Sequence, residues 1–177
     1  FLYLLAFSVL VGCTSMPSPE GKPLPAMTFK HIKRAELAVA QRLISVEPTQ
    51  NVAGFSLPFD DLMRVYLERK LKPVGQGGLI RAHLESSRIS RGFEKSGEAA
   101  LDLFGLGGAE VYSLEFALKL EHLDAANQPV YGTVIRGKRD IKVSEHASIA
   151  AREKAQFEAF ESFFKELDQH IDKVLMQ

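Results

Sequence analysis

The chain has 177 residues, and its 46% hydrophobic and 25% charged content is that of an ordinary globular protein. Its 22 basic and 22 acidic side chains cancel, which excludes a broad basic field, so nucleic acid is not an expected partner. Because the chain has a single cysteine, it can form no internal disulfide, and packing must stabilise the fold.

The chain opens on an apolar run, residues 1–11, that leads into Gly12 and Cys13. A helix that spans a membrane needs about 20 apolar residues, whereas a run of this length matches the core of a secretory signal peptide. No methionine or basic residue precedes Phe1, so we expect the numbering to begin inside that peptide. Two alternatives stay open: an ordinary cleaved signal with an incidental cysteine, and a buried first strand.

Four residues at the end of this run resemble the lipobox of bacterial lipoproteins: Leu10, Val11, Gly12 and Cys13. In a lipobox the cysteine is acylated on its sulfur, for example with palmitate, and becomes the first residue of the mature protein. The resemblance implies a signal peptide over residues 1–12 and a lipid anchor at Cys13. Residues 13–29 are rich in proline and serine, which predicts a flexible tether before a domain over residues 30–177.

The first element of the domain is expected within residues 32–47, where Leu37 and Val39 alternate with alanines. This alternation favours a strand, although the leucine, alanine, glutamine and arginine content also suits a helix. Pro48 ends the element, and residues 49–56 are typical of a loop.

A helix is predicted over residues 57–73. Pro58 suits a first helical turn, and Asp60 and Asp61 lie where the helix dipole favours negative charge. Apolar residues then recur at three- and four-residue steps, basic residues gather at the end, and Pro73 stops the helix.

Three strands are predicted next, over residues 79–90, 111–123 and 130–143, with a turn at residues 124–129. Apolar and polar side chains alternate along the first two of these strands. Such alternation predicts one buried face and one wet face, and therefore an antiparallel sheet that is covered on one side only.

The C-terminal residues 144–176 carry an apolar stripe at helical spacing, which predicts one long amphipathic helix. The expected order is strand, helix, strand, strand, strand, helix. These elements predict an α+β fold, a two-layer sandwich in which two helices cover one face of a four-stranded, mainly antiparallel sheet.

The connection between the second and third strands, residues 91–110, is long and unusually apolar for a loop. One interpretation is a short helix over residues 97–104 that covers the end of the core. The other is a tip that contacts a partner or a membrane, because exposed apolar patches mark interaction sites. The candidate interaction residues of this loop are Phe93, Leu101, Leu103, Phe104 and Leu106.

Four basic residues cluster on the last strand: Arg136, Lys138, Arg139 and Lys142. They could contact lipid headgroups or an acidic partner. The alternative is that they form the wet face of the sheet or protect an edge strand from pairing.

Motifs for catalysis or metal binding are missing from the sequence. The histidines are scattered, without the spacing of a metal site, and no cysteine other than Cys13 is present. No nucleophile elbow or phosphate loop occurs either. We therefore expect neither a cofactor nor enzymatic activity.

Together, the lipobox, the tether and the element order resemble small periplasmic lipoproteins that assist envelope transport. The nearest family is the ABC-type transport auxiliary lipoproteins, with the lipopolysaccharide-assembly lipoprotein as a more distant relative. The resemblance implies a non-enzymatic adaptor with an envelope protein partner, and Thr14 after Cys13 implies sorting to the outer membrane. A second possibility is a lipoprotein that binds a small apolar ligand or lipid between sheet and helices.

Overall fold

The computed structural model describes residues 26–95 and 108–175. Within these ranges the chain forms six strands and two helices. In chain order they are β1 (Ala35–Leu37), β2 (Gln41–Val46), α1 (Phe59–Lys70), β3 (Leu71–Pro73), β4 (Leu79–Lys95), β5 (Gly108–Leu123), β6 (Pro129–Ser144) and α2 (Ile149–Leu175).

The main sheet has four strands in the order β2-β4-β5-β6. The neighbours β4 and β5, and likewise β5 and β6, are antiparallel, whereas β2 runs parallel to β4 because α1 crosses over between them. Both helices pack on the same face, where Phe59 of α1 and Phe163 of α2 contact the ring of Phe116 in β5. The predicted α+β two-layer sandwich is confirmed.

The first predicted strand is two strands rather than one. β1 pairs in parallel with β3 as a separate two-stranded sheet, and only β2 joins the main sheet. The chain bends between them because the backbone N–H groups of Val74 and Gly75 bind the carbonyls of Leu37 and Val39, each at 2.9 Å. A Cβ at Gly75 would lie 2.4 Å from the carbonyl carbon of Ala38, so this close approach requires glycine.

The helix α1 is shorter than predicted and ends at Lys70. Arg42 of β2 donates hydrogen bonds from Nη1 to the carbonyls of Glu68 (2.5 Å) and Leu71 (2.6 Å), which satisfies groups at the helix end. The following residues turn into β3, where Lys72 forms an ion pair with Glu36 at 2.7 Å. Local sequence could not reveal this end, because Arg42 is distant in the chain.

The layer between helices and sheet is filled by aromatic rings. Phe160 is fully buried, with ring centroids 5.8 Å from Phe59 and 6.3 Å from Phe164. Phe29, the last residue of the predicted tether, is only 1% exposed and lies 4.7 Å from Phe164 and 5.7 Å from Tyr66. Packing of the domain therefore includes residues that precede its predicted start.

A buried lysine joins the two helices. Lys70 of α1 is 0% exposed, and its Nζ lies 2.7 Å from Asp168 and 2.6 Å from Asp172 of α2. The Tyr66 hydroxyl donates to the same Asp168 carboxylate at 3.2 Å. Burial, and then the charge of Asp168, raises the pKa of Tyr66, so this hydroxyl keeps its proton and remains a donor.

The two long strands of the central hairpin extend further than predicted. β4 reaches Lys95 and β5 begins at Gly108, so the connection is shorter than the 91–110 expected, and Phe93 belongs to a strand. From Ser86 onwards their pairing is regular to the end, with Phe93 opposite Glu110. Residues 96–107, with the candidate interaction residues Leu101, Leu103, Phe104 and Leu106, lie outside the described residues. The lipobox residues 10–13 also lie outside them.

We predict that Phe160→Ala lowers the free energy of unfolding by about 3–5 kcal/mol, because it opens a cavity in a fully packed ring cluster. Urea denaturation should show a lower midpoint with an unchanged slope. Phe93→Ala is the matched control, since Phe93 is 68% exposed and its truncation should change stability by less than about 1 kcal/mol. Equal losses for both variants would contradict this assignment of the core.

Candidate functional site

The uncovered face of the main sheet is polar and crossed by ion pairs. Glu121 of β5 contacts Arg81 of β4 at 3.3 Å and Lys119 at 2.8 Å, and these cations, Lys119 first, hold the pKa of Glu121 below its usual range. At the other end of the face, Lys142 of β6 reaches Glu94 of β4 at 2.6 Å. We call this surface the outer face.

A groove of about 870 Å³ lies in the outer face where β4 has an irregularity. The pairing of β4 with β5 shifts between Leu84 and Ser86, so Glu85 is an extra residue, as in a β-bulge. One wall is the chain after β2, where Gln50 accepts a hydrogen bond from Ile89 N–H at 2.8 Å. The small side chain of Ala117 lies among the lining residues.

The charges that line this groove are balanced. Three cations and three carboxylates contribute, namely Arg88, Arg136, Lys138, Glu47, Glu85 and Glu115. Arg88 is held by a hydrogen bond from its Nε to the Gln50 side chain at 3.0 Å. The groove therefore carries no formal net charge that would favour a purely anionic or cationic ligand.

The predicted basic cluster is divided between the two faces of the sheet. Arg136, Lys138 and Lys142 occupy the outer face, as alternate residues of β6 do. Arg139 points to the helices, and its guanidinium contacts Glu166 and the Ser162 hydroxyl of α2, each at 3.2 Å. Of the four, Arg136 is the one without an ion pair to any described residue.

Of the five candidate interaction residues in the predicted loop, the structure describes only Phe93, whose side chain is exposed. Its ring is 68% exposed, and the Arg91 guanidinium lies 5.3 Å from the ring centroid. This contact between a cation and an aromatic face is worth about 0.5–1 kcal/mol at an exposed site. An exposed phenylalanine at the base of the 96–107 segment is consistent with the interaction interpretation of that segment.

A buried carboxylate, Glu110, holds the base of this hairpin to α2. Its oxygens accept hydrogen bonds from Arg91 of β4 at 2.6 Å, from the Tyr112 hydroxyl at 2.9 Å, and from Arg152 of α2. Arg152 also donates to the carbonyls of Glu145 (2.6 Å) and Ala147 (3.1 Å). One carboxylate thus connects β4, β5 and α2.

The environment of Glu110 keeps it ionised. Burial by itself would raise its pKa, but the hydrogen bonds from Tyr112, Arg91 and Arg152 outweigh burial and lower the pKa below its usual range. Burial, followed by the hydrogen bond to Glu110, raises the pKa of Tyr112. Neither group therefore titrates near neutral pH, and the arrangement suits fixing the hairpin rather than acid–base chemistry. Sequence reasoning missed Glu110, although it falls in the same alternation as the apolar residues of β5.

Among the described strands, none pairs with the outer edge of β6. Beside this edge a cleft of about 190 Å³ separates β6 from α2, with Phe116, Ile135, Phe163 and Leu167 as its apolar walls. Gly137 is one of the residues that line the cleft, and a Cβ there would be 2.5 Å from Phe116 Cε1, so the absence of a side chain admits the ring. The pairing of β6 with β5 is regular at both Gly132 and Gly137.

Other kinds of site find no support in the described ranges. Histidine and acidic side chains nowhere gather there in a group of three that could hold a metal ion. Neither α1 nor α2 is apolar enough over a sufficient length to cross a bilayer. The space between helices and sheet, where an apolar ligand was considered, is occupied by contacting rings.

No protein-family model and no curated protein matches the chain. Solved structures with some similarity include a neuraminyllactose-binding hemagglutinin homolog from Helicobacter pylori, at 11% identity and a TM-score of 0.41, covering 88% of this chain and 94% of that one. A DUF330 protein from Xanthomonas campestris aligns at 13% identity and a TM-score of 0.35, over 73% and 82% of the two chains. Rare lipoprotein B from Shewanella oneidensis aligns at 13% identity and a TM-score of 0.32, over 75% and 99%. No family assignment follows from these similarities.

We predict that the Glu110 cluster makes the protein less stable as the pH falls. Folding lowers the pKa of Glu110. Its contribution to the free energy of unfolding is therefore complete above the unfolded-state pKa of about 4.3, and is lost as the pH falls through the lower pKa of the folded state. Glu110→Gln should lower the unfolding free energy at neutral pH by about 1–3 kcal/mol and make the acid loss shallower. Urea denaturation at a series of pH values measures both effects.

The matched control is Glu158→Gln, because Glu158 is a surface residue of α2 with a distant ion pair to Lys154 at 3.7 Å. This variant should keep the acid profile of the parent protein. If Glu110→Gln lost stability as steeply in acid as the parent does, other carboxylates would account for the pH dependence.

Proposed function

We propose that this protein is a lipid-anchored lipoprotein that faces the periplasm and acts as a non-enzymatic adaptor in a cell-envelope transport or assembly complex. The observation that carries the proposal is the sequence Leu10-Val11-Gly12-Cys13, in which the chain's single cysteine ends an apolar run. Each buried methylene of an acyl chain contributes about 0.8 kcal/mol to membrane binding, so two or more chains on Cys13 would hold the protein firmly. Outer-membrane sorting is part of the proposal, on the basis of Thr14.

The architecture supports an adaptor. Phe29 packs between α1 and α2, so the chain from the anchor joins the domain on the helix side. The outer face and the described part of the β4–β5 hairpin lie on other parts of the surface, where no other described residue covers them. The Glu110 cluster fixes the base of this hairpin to α2.

A carrier for a small apolar ligand was the second candidate. The ring contacts fill the middle of the layer between helices and sheet. The cleft beside β6, at about 190 Å³, is smaller than the pockets of roughly 300–1,000 Å³ that hold small ligands. The adaptor is therefore the function we propose.

The anchor is tested by Cys13→Ala. We expect this substitution to abolish incorporation of labelled palmitate and to release the domain from the membrane fraction, because the acylated sulfur is gone. Ser15→Ala is the matched control and should remain labelled and membrane-bound. Retention of the Cys13→Ala protein in washed membranes would refute the lipid anchor.

The interaction loop is tested by replacing both Leu103 and Phe104 with serine. If the 96–107 segment contacts a partner, the amount of that partner recovered with the protein should fall while the unfolding midpoint stays unchanged. Val65→Ser and Ile149→Ser together are the control, because these side chains are exposed at 45% and 77% on the two helices. A loss of several kcal/mol of stability in the loop variant would instead assign the two side chains to the core.

A further inference from the structure

The β6 strand presents a free backbone edge. It has β5 on one side only, and no backbone hydrogen bond from another described part of the chain reaches its other side between Val130 and Val143. In an antiparallel strand alternate residues direct N–H and C=O groups to each side, so about half of the backbone groups of β6 are available to a new strand. An edge of this kind is a template for an added strand.

The two faces beside this edge differ in chemistry. On the helix side lies the 190 Å³ cleft between β6 and α2, where Gly137 is a lining residue and the Phe116 ring takes the place of its side chain. On the outer face, Lys138 lies 3.7 and 3.9 Å from Glu115 and Asp140, whereas Arg136 has no ion pair to any described residue. The edge therefore combines a cleft with apolar walls on one face with an arginine on the other that is available to a carboxylate.

Successive side chains of a strand point to opposite faces. A strand added to β6 would place every second side chain over the cleft and the intervening ones beside Arg136 and Lys138. We infer that β6 binds an extended segment of a partner protein in which apolar and acidic residues alternate, the apolar residue filling the cleft and the carboxylates pairing with Arg136 and Lys138. This inference rests on the proposed adaptor function and names the surface and the partner chemistry for it.

Charge argues against a second copy of this chain as the occupant. The outer face of β6 carries Arg136, Lys138 and Lys142 against one carboxylate, Asp140, so two β6 strands paired through this edge would bring mostly like charges together. Like charges directly opposite each other on neighbouring strands are destabilising. A strand with acidic side chains avoids that repulsion, so the occupant we propose is an acidic segment of a partner protein.

The test uses the isotope-labelled full chain in detergent micelles and a short peptide of alternating glutamate and valine. We expect added peptide to slow hydrogen exchange at alternate amides of β6, as measured by NMR. Binding should weaken as salt is raised, because the charge pairs are exposed. The same peptide with lysine in place of glutamate should not bind.

Two backbone-methylated peptides test strand pairing directly. One carries N-methyl groups on its valines and the other on its glutamates. Because alternate residues of a strand direct their N–H groups to opposite sides, one of the two should lose binding and the other should retain it. Equal binding by both would overturn the proposed strand addition.

Variants of the chain test the surface. Arg136→Glu combined with Lys138→Glu should weaken binding roughly tenfold, since each exposed charge pair contributes up to about 1 kcal/mol. Lys154→Glu combined with Lys165→Glu reverses the same number of charges on the solvent side of α2 and should leave binding unchanged. His170→Trp, which adds bulk at the mouth of the cleft, should weaken binding without lowering the unfolding midpoint.

Three results would overturn the inference: protection of β4 amides at residues 90–95 instead of β6, equal binding of the lysine peptide, or self-association of the chain through β6. None of these measurements requires acylation of Cys13. A negative result in the peptide-binding experiments therefore does not contradict the lipid anchor. Likewise, a negative result in the palmitate experiment does not contradict strand addition at β6.

Discussion

The fold depends on a layer of phenylalanine rings between helices and sheet. Four rings contact one another in this layer: Phe59 of α1 and Phe160, Phe163 and Phe164 of α2. Phe59 and Phe163 also contact Phe116 in the sheet. A chain without a disulfide needs such a core, because rings bury large areas per residue and interlock in preferred geometries. The positions of α1, α2 and the central strands are all set by this one layer.

Two polar clusters fix the helices at different points along their length. Near the end of α2, Lys70 joins Asp168 and Asp172 and binds the two helices together. Near its start, Arg152 joins Glu110 and binds α2 to the sheet. Apolar packing is tolerant of small shifts, whereas a buried charge that loses its partner is costly, so these clusters favour one register of helix against sheet. The second cluster also connects the core to the base of the exposed hairpin.

Much of the architecture could be predicted because each long element has a single buried face. The period-two pattern of Tyr112, Leu114 and Leu118 and the stripe on α2 each predict an element and its orientation. The missed features depend on contacts between distant residues: Arg42 at the end of α1, and β3 beside β1. The distal parts of β4 and β5 were missed because no apolar alternation marks them: residues 91–95 are exposed, and the buried side chain among residues 108–110 is the charged Glu110.

The candidate site was less accessible to sequence reasoning. Four basic residues close in sequence suggested one surface, but the alternation along β6 sends Arg139 to the helices while Arg136 remains on the outer face. Gly137 admits the Phe116 ring, and this contact can be recognised only when the strand register is known. The cleft beside β6 can be recognised only when both the strand register and the position of α2 are known.

The burial of Phe29 between Tyr66 and Phe164 has a mechanical consequence. Under the proposed anchoring, any tension between bilayer and domain is applied at this ring, in the middle of the helical layer, and not along a hydrogen-bonded strand. Pulling would first extract one aromatic side chain and leave the four-stranded sheet intact. The β6 edge, which belongs to that sheet, would stay assembled while the start of the described chain is pulled away.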